Sequence, residues 1–180
     1  MSTAASRSRC EMVRNRKIIV MGVAGSGKSS VGAALGAAMG APYLDGDDLH
    51  SAENIAKMSA GIALTDDDRW PWLTKIGETL TGHPGTILIG CSALKRTYRD
   101  LIRKTAERPV TFIHCAGSRS LIAERMAKRP GHFMPMSLLD SQFAALELPG
   151  ADEDAITLNI AAPLLDLVAK AMTQLLEDRT

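Results

Sequence analysis

The stretch KIIVMGVAGSGKSS, residues 17–30, decides the fold. Its first five residues, KIIVM, predict a short buried strand that stops at Gly22. A helix is predicted to begin at Lys28 and to end at Gly40. A strand, a glycine-rich turn and a helix in this order give the context in which the pattern G-x-x-x-x-G-K-[ST] binds phosphate.

The glycine-rich turn therefore predicts a site for a nucleoside triphosphate. Loop N–H groups and the positive end of the helix dipole would face the phosphates. Lys28 is predicted to reach the β- and γ-phosphates, and the Ser29 hydroxyl to bind Mg²⁺. The other residues of this stretch assigned to ATP are Gly22, Gly25, Ser26, Gly27 and Ser30.

Further strands are predicted at 41–44, 86–91, 110–115 and 155–160. Helices are predicted between them, including one around 49–59, and a closing helix is predicted with an apolar stripe that begins at Leu164. This alternation predicts an α/β fold with a doubly wound five-stranded parallel sheet, and ligands at the carboxyl ends of its strands. We divide the chain into a flexible tail over 1–16 and a single domain over 17–180. A transit peptide is an alternative interpretation of the tail, which is rich in arginine and serine.

Composition excludes several other classes of protein. The chain has 180 residues, of which 46% are hydrophobic. Its formal net charge of +1 argues against nucleic-acid binding driven by overall positive charge. Apolar runs are too short for a membrane span. Cys91 and Cys115 follow apolar runs, which predicts reduced, buried thiols and a cytoplasmic protein.

The stretch LDGDDLH, residues 44–50, places three carboxylates after the second predicted strand. Asp45 and Asp47 are two residues apart and point the same way in extended chain. We predict that Asp45 assists Mg²⁺ and that Asp47 accepts a hydrogen bond from the hydroxyl to be phosphorylated, and also its proton. A simpler interpretation is that Asp47 or Asp48 caps the following helix.

Several cations have no local explanation. Arg69, Lys95 and Arg99 together suggest an acidic acceptor molecule, although Lys95 and Arg99 also fit a solvated basic face. Arg125 and Arg129 lead into a Pro/Gly-interrupted segment, which predicts a lid over about 119–136 that contacts the γ-phosphate. An ordinary surface helix is the alternative for this pair.

The segments GVAGSGKSS, LDGDDLHSAENIAKMSAGIALTDDDRWPWL, CSALKRTYRD and KRPGHFMPMSLLDSQFAALELPGADE closely resemble small P-loop gluconokinases. The resemblance implies a fold like that of nucleoside monophosphate and shikimate kinases, transfer of phosphate from ATP to the 6-hydroxyl of D-gluconate, and a homodimer. It places Asp47 and His50 near the acceptor's hydroxyls. Arg69, Lys95 and Arg99 would bind its carboxylate, Arg125 and His132 would belong to the lid, and Gln142 is a further acceptor-site candidate.

Two positions depart from the family pattern, because Ser51 and Ala63 stand where prolines are usual. Both changes are expected to loosen the backbone of their loops, and neither removes a functional group needed for the chemistry. The alternatives to a gluconokinase are another small-molecule kinase, such as one for shikimate, and a lapsed kinase that only binds nucleotide. A GTP switch is disfavoured, because the chain has no N-K-x-D loop.

Overall fold

The computed structural model describes residues 15–128 and 136–177. Its strands are β1 (Lys17–Met21), β2 (Tyr43–Asp45), β3 (Ile87–Gly90), β4 (Val110–Ala116) and β5 (Ala155–Asn159). They form one sheet in the order β2-β3-β1-β4-β5, and every pairing is parallel. The predicted doubly wound sheet is confirmed.

Helices connect the strands on both sides of the sheet. They are α1 (Lys28–Met39), α2 (Ala52–Ser59), α3 (Asp66–Gly82), α4 (Arg96–Ala106), α5 (Arg119–Ala127), α6 (Met136–Ala145) and α7 (Leu164–Glu177), with a short 3-10 turn at Gly46–Leu49. Because β1 is central, the phosphate loop that follows it lies between the carboxyl ends of β3 and β4. This position is where ligands bind in open parallel sheets.

Two apolar clusters flank the sheet, as alternation along β1 requires. Ile18 and Val20 pack with residues of α1 and α7, whereas Ile19 and Met21 pack with residues of α3 and α4. Each β1 side chain is thus buried on one face or the other, which explains why the strand reads as a continuous apolar run.

The observed boundaries correct three predictions. A single helical stretch expected around 49–59 is a 3-10 turn followed by α2, because Ser51 accepts a hydrogen bond from the Asn54 N–H and starts a new helix. Ser51 therefore fixes its loop as a helix cap, where a loosened backbone was expected. In α7 the buried face contains Leu167, whereas Leu164 is exposed as the first residue of the helix.

Within the described residues, no helix combines the length and the apolar character needed to cross a membrane. The predicted tail is described only from residue 15 onward, and residues 129–135 of the predicted lid lie outside the described residues.

Candidate active site

The phosphate loop has the backbone geometry that its glycines permit. Gly22 has φ +144°, and a Cβ there would lie 2.7 Å from the Ser26 hydroxyl oxygen and 2.9 Å from the Cys115 carbonyl oxygen. Only glycine fits this position, so the loop can turn tightly at the end of β1. The Ser26 hydroxyl is buried and has no hydrogen-bond partner among the described residues.

Lys28 lies folded against the loop that it follows. Its Nζ donates hydrogen bonds of 3.0 Å to the carbonyl oxygens of Gly22 and Val23. Burial lowers the pKa of Lys28, and the negative charge of Asp47 is the largest effect that opposes this shift. The ammonium group is therefore held at the loop, next to the carboxylates that follow β2.

Gln142 contacts the phosphate loop directly. Its side-chain oxygen accepts a hydrogen bond of 2.6 Å from the Ala24 N–H, one of the loop donors. The family resemblance suggests Gln142 as a candidate for the acceptor site, and in this structure its side chain contacts the phosphate loop. Ser29 and Ser30 are exposed in the first turn of α1.

The carboxylates after β2 lie in a loop that crosses the end of β3. A Cβ at Gly46 would collide with the Gly90 carbonyl oxygen, so glycine permits this close approach. The Asp45 carboxylate accepts a hydrogen bond of 3.0 Å from the Asp47 N–H and caps the 3-10 turn. The capping role considered for Asp47 or Asp48 therefore falls to Asp45 here and to Ser51 at α2.

Asp47 lies in the 3-10 turn after β2, with its side chain 78% exposed. Surrounding protein nevertheless reduces hydration of the carboxylate, and this desolvation, together with the charge of Asp45, raises the pKa of Asp47. The charges of His50 and Lys28 oppose the rise. A carboxylate with a raised pKa is a better proton acceptor than an ordinary aspartate.

His50 is buried beside Asp47 and has a fixed ring plane. Its ring stacks on Trp72 with centroids 4.1 Å apart, and the Trp72 Nε1–H donates to the Gly46 carbonyl oxygen at 2.7 Å. The His50 Nε2 lies 3.9 Å from the Asp47 Oδ1. Burial lowers the pKa of His50, Asp47 opposes that shift, and Arg69 adds to it.

Asn54 is a site residue that sequence reasoning missed. It is buried in α2, one turn after His50, and its Nδ2 contacts both the His50 Nδ1 and the Asp68 carbonyl oxygen. The only available signal was the spacing of four residues from His50, which is too common to identify a partner.

Arg69 and Lys95 come together at one carboxylate, that of Asp66. The Lys95 Nζ lies 2.8 Å and 3.1 Å from the two Asp66 carboxylate oxygens, and an Arg69 nitrogen lies 3.6 Å from one of them. Tyr98 also donates its hydroxyl to Asp66. The hydrogen bonds from Lys95 and Tyr98 lower the pKa of Asp66, and the bond to Asp66 raises the pKa of Lys95.

Arg99 has no exposed surface. Its side chain is 0% exposed and forms a bidentate ion pair with Glu153, with distances of 2.7 Å and 2.8 Å. Its remaining donor group contacts the carbonyl oxygens of Ala93, Leu94 and Glu147. Every nitrogen is thus engaged by the protein, and the guanidinium group has no exposed surface to meet the acceptor carboxylate that the sequence suggested.

The loop between α6 and β5 is fastened to the start of α4. Besides Arg99, Arg96 binds Asp152 through its guanidinium group, and its backbone N–H donates to the Glu147 carboxylate. The segment LPGADE, part of the resemblance, therefore makes scaffolding contacts in this structure.

Arg125 extends from α5, and its guanidinium group donates a hydrogen bond of 2.6 Å to the Ile160 carbonyl oxygen. Arg129 and His132, the other predicted lid residues, lie outside the described residues. His83 and His114 lie elsewhere: His83 directly follows α3, and His114 is buried in β4.

The residues at the loop fit a magnesium ion. Ser29 would supply a hydroxyl and Asp45 a carboxylate, and oxygen atoms are the ligands that Mg²⁺ prefers. Mg²⁺ is usually held by one or two protein groups together with phosphates and water, so this small donor set is sufficient.

A phosphate loop on the central strand, with aspartates at the end of β2, two strands away in the sheet, is the arrangement of a P-loop kinase. A family model described as an AAA domain matches residues 18–149. The thermosensitive gluconokinase of Escherichia coli K12 is 49% identical over 141 residues, covering 77% of this chain and 75% of that protein. The gluconokinase of Gluconobacter oxydans 621H is 45% identical, covering 80% of this chain and 82% of that protein.

A solved structure agrees with these relatives. The crystal structure of a gluconokinase from Sinorhizobium meliloti 1021 superposes with a TM-score of 0.84 at 50% identity, covering 91% of this chain and 93% of that one. The chain belongs to the gluconokinase family.

Proposed function

We propose that this protein transfers the γ-phosphoryl group of ATP to the 6-hydroxyl of D-gluconate, giving 6-phosphogluconate and ADP. The observation that carries the proposal is the placement of Lys28, Asp47 and the Arg69–Lys95 pair in a chain 49% identical to a gluconokinase over 141 residues. A phosphate clamp, a proton acceptor and an anion-binding group are what a kinase for a sugar acid requires.

ATP would bind along the phosphate loop. The loop N–H groups and Lys28 would hold the phosphates, the buried Ser26 hydroxyl would find a partner there, and Arg125 and Arg129 would approach from the lid. Ser29, and Asp45 through water, would hold Mg²⁺, which would supply positive charge to offset that of the phosphates.

The transfer step uses Asp47. The acceptor hydroxyl oxygen forms a bond to the γ-phosphorus, while the bond from the γ-phosphorus to the bridging oxygen breaks and ADP leaves with that electron pair. The hydroxyl proton passes to the Asp47 carboxylate. The raised pKa of Asp47 supports this assignment, because a stronger base accepts the proton more readily.

The carboxylate of gluconate would bind Arg69 and Lys95. Both side chains are partly exposed, at 31% and 34%, and Asp66 already draws them together. Arg99, which is buried against Glu153, is proposed to support the site as a scaffold instead of contacting the substrate.

The cytoplasmic location and the homodimer remain proposals that rest on the reduced-thiol pattern and on the family resemblance. Analytical ultracentrifugation would test the dimer: we expect a single species of twice the chain mass, and a monomer at micromolar concentration contradicts it.

The activity is tested by ADP release with ATP and Mg²⁺ against D-gluconate, shikimate, AMP, glucose and no acceptor, with Lys28→Ala as the inactive control. Turnover with gluconate alone supports the proposal. Turnover with another acceptor retains a kinase and rejects gluconate. Measurable ATP binding without turnover on this panel counts against the proposal and favours a lapsed kinase.

A further inference from the structure

The side-chain amide of Asn54 donates in two directions. Its Nδ2 lies 2.8 Å from the Asp68 carbonyl oxygen and 3.3 Å from the His50 Nδ1. A carbonyl oxygen only accepts hydrogen bonds, so the contact with Asp68 identifies this atom of the amide as the nitrogen. The NH₂ group then has one hydrogen for Asp68 and one for His50.

This contact determines where His50 carries its proton. A ring nitrogen that accepts a hydrogen bond has its lone pair free, so the proton of a neutral imidazole must lie on the other nitrogen. The accepting atom is Nδ1, and the proton is therefore on Nε2, the atom that faces Asp47 across 3.9 Å. Stacking on Trp72 holds the plane of the ring.

The gap between His50 and Asp47 matches a hydroxyl group. An oxygen atom about 2.8 Å from both the His50 Nε2 and the Asp47 Oδ1 closes a triangle on the observed 3.9 Å base. A hydroxyl has one hydrogen and two lone pairs. It could donate to Asp47, accept from His50 and still present its second lone pair to an electrophile.

We propose that Asn54 is a positioning residue that holds His50 as the Nε2–H tautomer, so that His50 and Asp47 together bind one acceptor hydroxyl as donor and acceptor. With the other tautomer, Nε2 and the Asp47 carboxylate would both compete for the single hydroxyl hydrogen. The inference rests on the proposed assignment of Asp47 and His50 to the acceptor.

The tautomer is measured on the whole protein by two-dimensional NMR, which correlates the imidazole nitrogens of each histidine with its ring protons. The His50 signals are assigned by their loss in His50→Gln. The wild type is expected to show an unprotonated Nδ1 and a protonated Nε2. A protonated Nδ1 in the wild type overturns the inference, whether or not the enzyme is active.

Asn54→Asp tests the role of the amide donor. A carboxylate only accepts, so His50 should shift its proton to Nδ1. We expect kcat/KM for gluconate to fall by about tenfold or more, with KM for ATP within about twofold of the wild type. Ala56→Asp, which adds the same charge at an exposed position of α2, is the control and should change neither the tautomer nor the kinetics.

The outcomes separate this inference from the proposed function. An unchanged tautomer in a folded Asn54→Asp protein, or a changed tautomer with unchanged gluconate kinetics, overturns the positioning role. A wild type without gluconate turnover contradicts the proposed function, and the wild-type NMR measurement still decides the tautomer. If Asn54→Asp does not fold, the same wild-type measurement decides it.

Discussion

The side-chain oxygen of Gln142 accepts a hydrogen bond of 2.6 Å from the backbone N–H of Ala24. These residues are 118 positions apart, and the bond joins α6 to the phosphate loop. A donor that faces phosphate in a P-loop is thus occupied by the protein itself in this structure.

Nucleotide would have to compete with Gln142 for this donor. Gln142→Ala is therefore expected to tighten MgATP binding by roughly two- to tenfold, the equivalent of one neutral hydrogen bond. Gln142→Glu should weaken binding, because a carboxylate would repel the phosphates. Isothermal titration calorimetry measures both, with Ser141→Ala as the control on the exposed side of α6. Weaker MgATP binding by Gln142→Ala would mean that Gln142 supports the phosphate loop and does not compete with nucleotide for the Ala24 N–H.

Arg69 and Lys95 are expected to bind the acceptor's carboxylate. Arg69→Met and Lys95→Met should each raise KM for gluconate by about ten- to a hundredfold with KM for ATP unchanged, because one charge-assisted contact is lost. Steady-state kinetics with each substrate varied separately measures this. Lys104→Met removes the same charge from an exposed position of α4 and should have no effect. An unchanged KM for gluconate in both variants would exclude this pair from the acceptor site.

Asp47→Asn keeps the size of the side chain and removes its charge. If Asp47 accepts the hydroxyl proton, kcat should fall by about 10²- to 10⁴-fold with little change in KM for ATP. Single-turnover rates with gluconate in excess measure the transfer step. A variant that loses only ATP affinity would assign Asp47 to the metal site.

The buried pair of Arg99 and Glu153 should dominate local stability. Glu153→Gln leaves the Arg99 charge buried without its partner and is expected to lower the free energy of unfolding by about 3–5 kcal/mol. Asp152→Asn, which breaks the exposed pair with Arg96, should cost about 1 kcal/mol or less. Denaturant unfolding at pH 7 measures the free energy of unfolding of both variants. Equally small decreases in the two variants would contradict a larger contribution from the buried pair.

The same pair gives a pH dependence with a defined sign. The hydrogen bond from Arg99 holds the pKa of Glu153 well below its usual range, although burial opposes the shift. A lowered folded pKa stabilises the protein above the unfolded value of about 4.3, and this stability is lost as pH falls below it. The stability difference between wild type and Glu153→Gln should be constant from pH 7 to about 4.5 and should narrow at lower pH. A stability difference that grows as the pH falls would contradict the lowered pKa of Glu153.

The buried cysteines should be unreactive in the folded protein. Burial raises the pKa of Cys91 to about 12 and that of Cys115 to about 11, so neither forms appreciable thiolate at pH 8. In a Cys10→Ser background, a thiol-specific disulfide reagent is expected to label neither residue until denaturant is added, and then to label both. Rapid labelling of the native protein would show that the thiols are accessible.

The sequence by itself determined the features that depend on near neighbours. Four such features follow from local spacing, and the structure contains each of them. They are the burial of every β1 side chain, the left-handed Gly40 at the end of α1, the capping box of Thr65 and Asp68, and the cap at Ser118. The order of strands and helices was sufficient to predict the parallel sheet, since parallel pairing requires crossover connections. Kinase class and family also followed from the motifs, and the relatives confirm them.

The tertiary structure alone decided which partner each polar side chain meets. Lys95 and Arg99 are one helical turn apart and were expected on the same face. Lys95 nevertheless pairs with Asp66, whereas Arg99 is buried against Glu153, 54 positions away. Gln142 likewise meets Ala24 only because α6 returns to the phosphate loop, and Asn54 meets the Asp68 carbonyl oxygen only because α2 lies beside the first turn of α3. Helical periodicity specifies the face of a residue, but burial and charge pairing depend on elements brought together by the packed sheet.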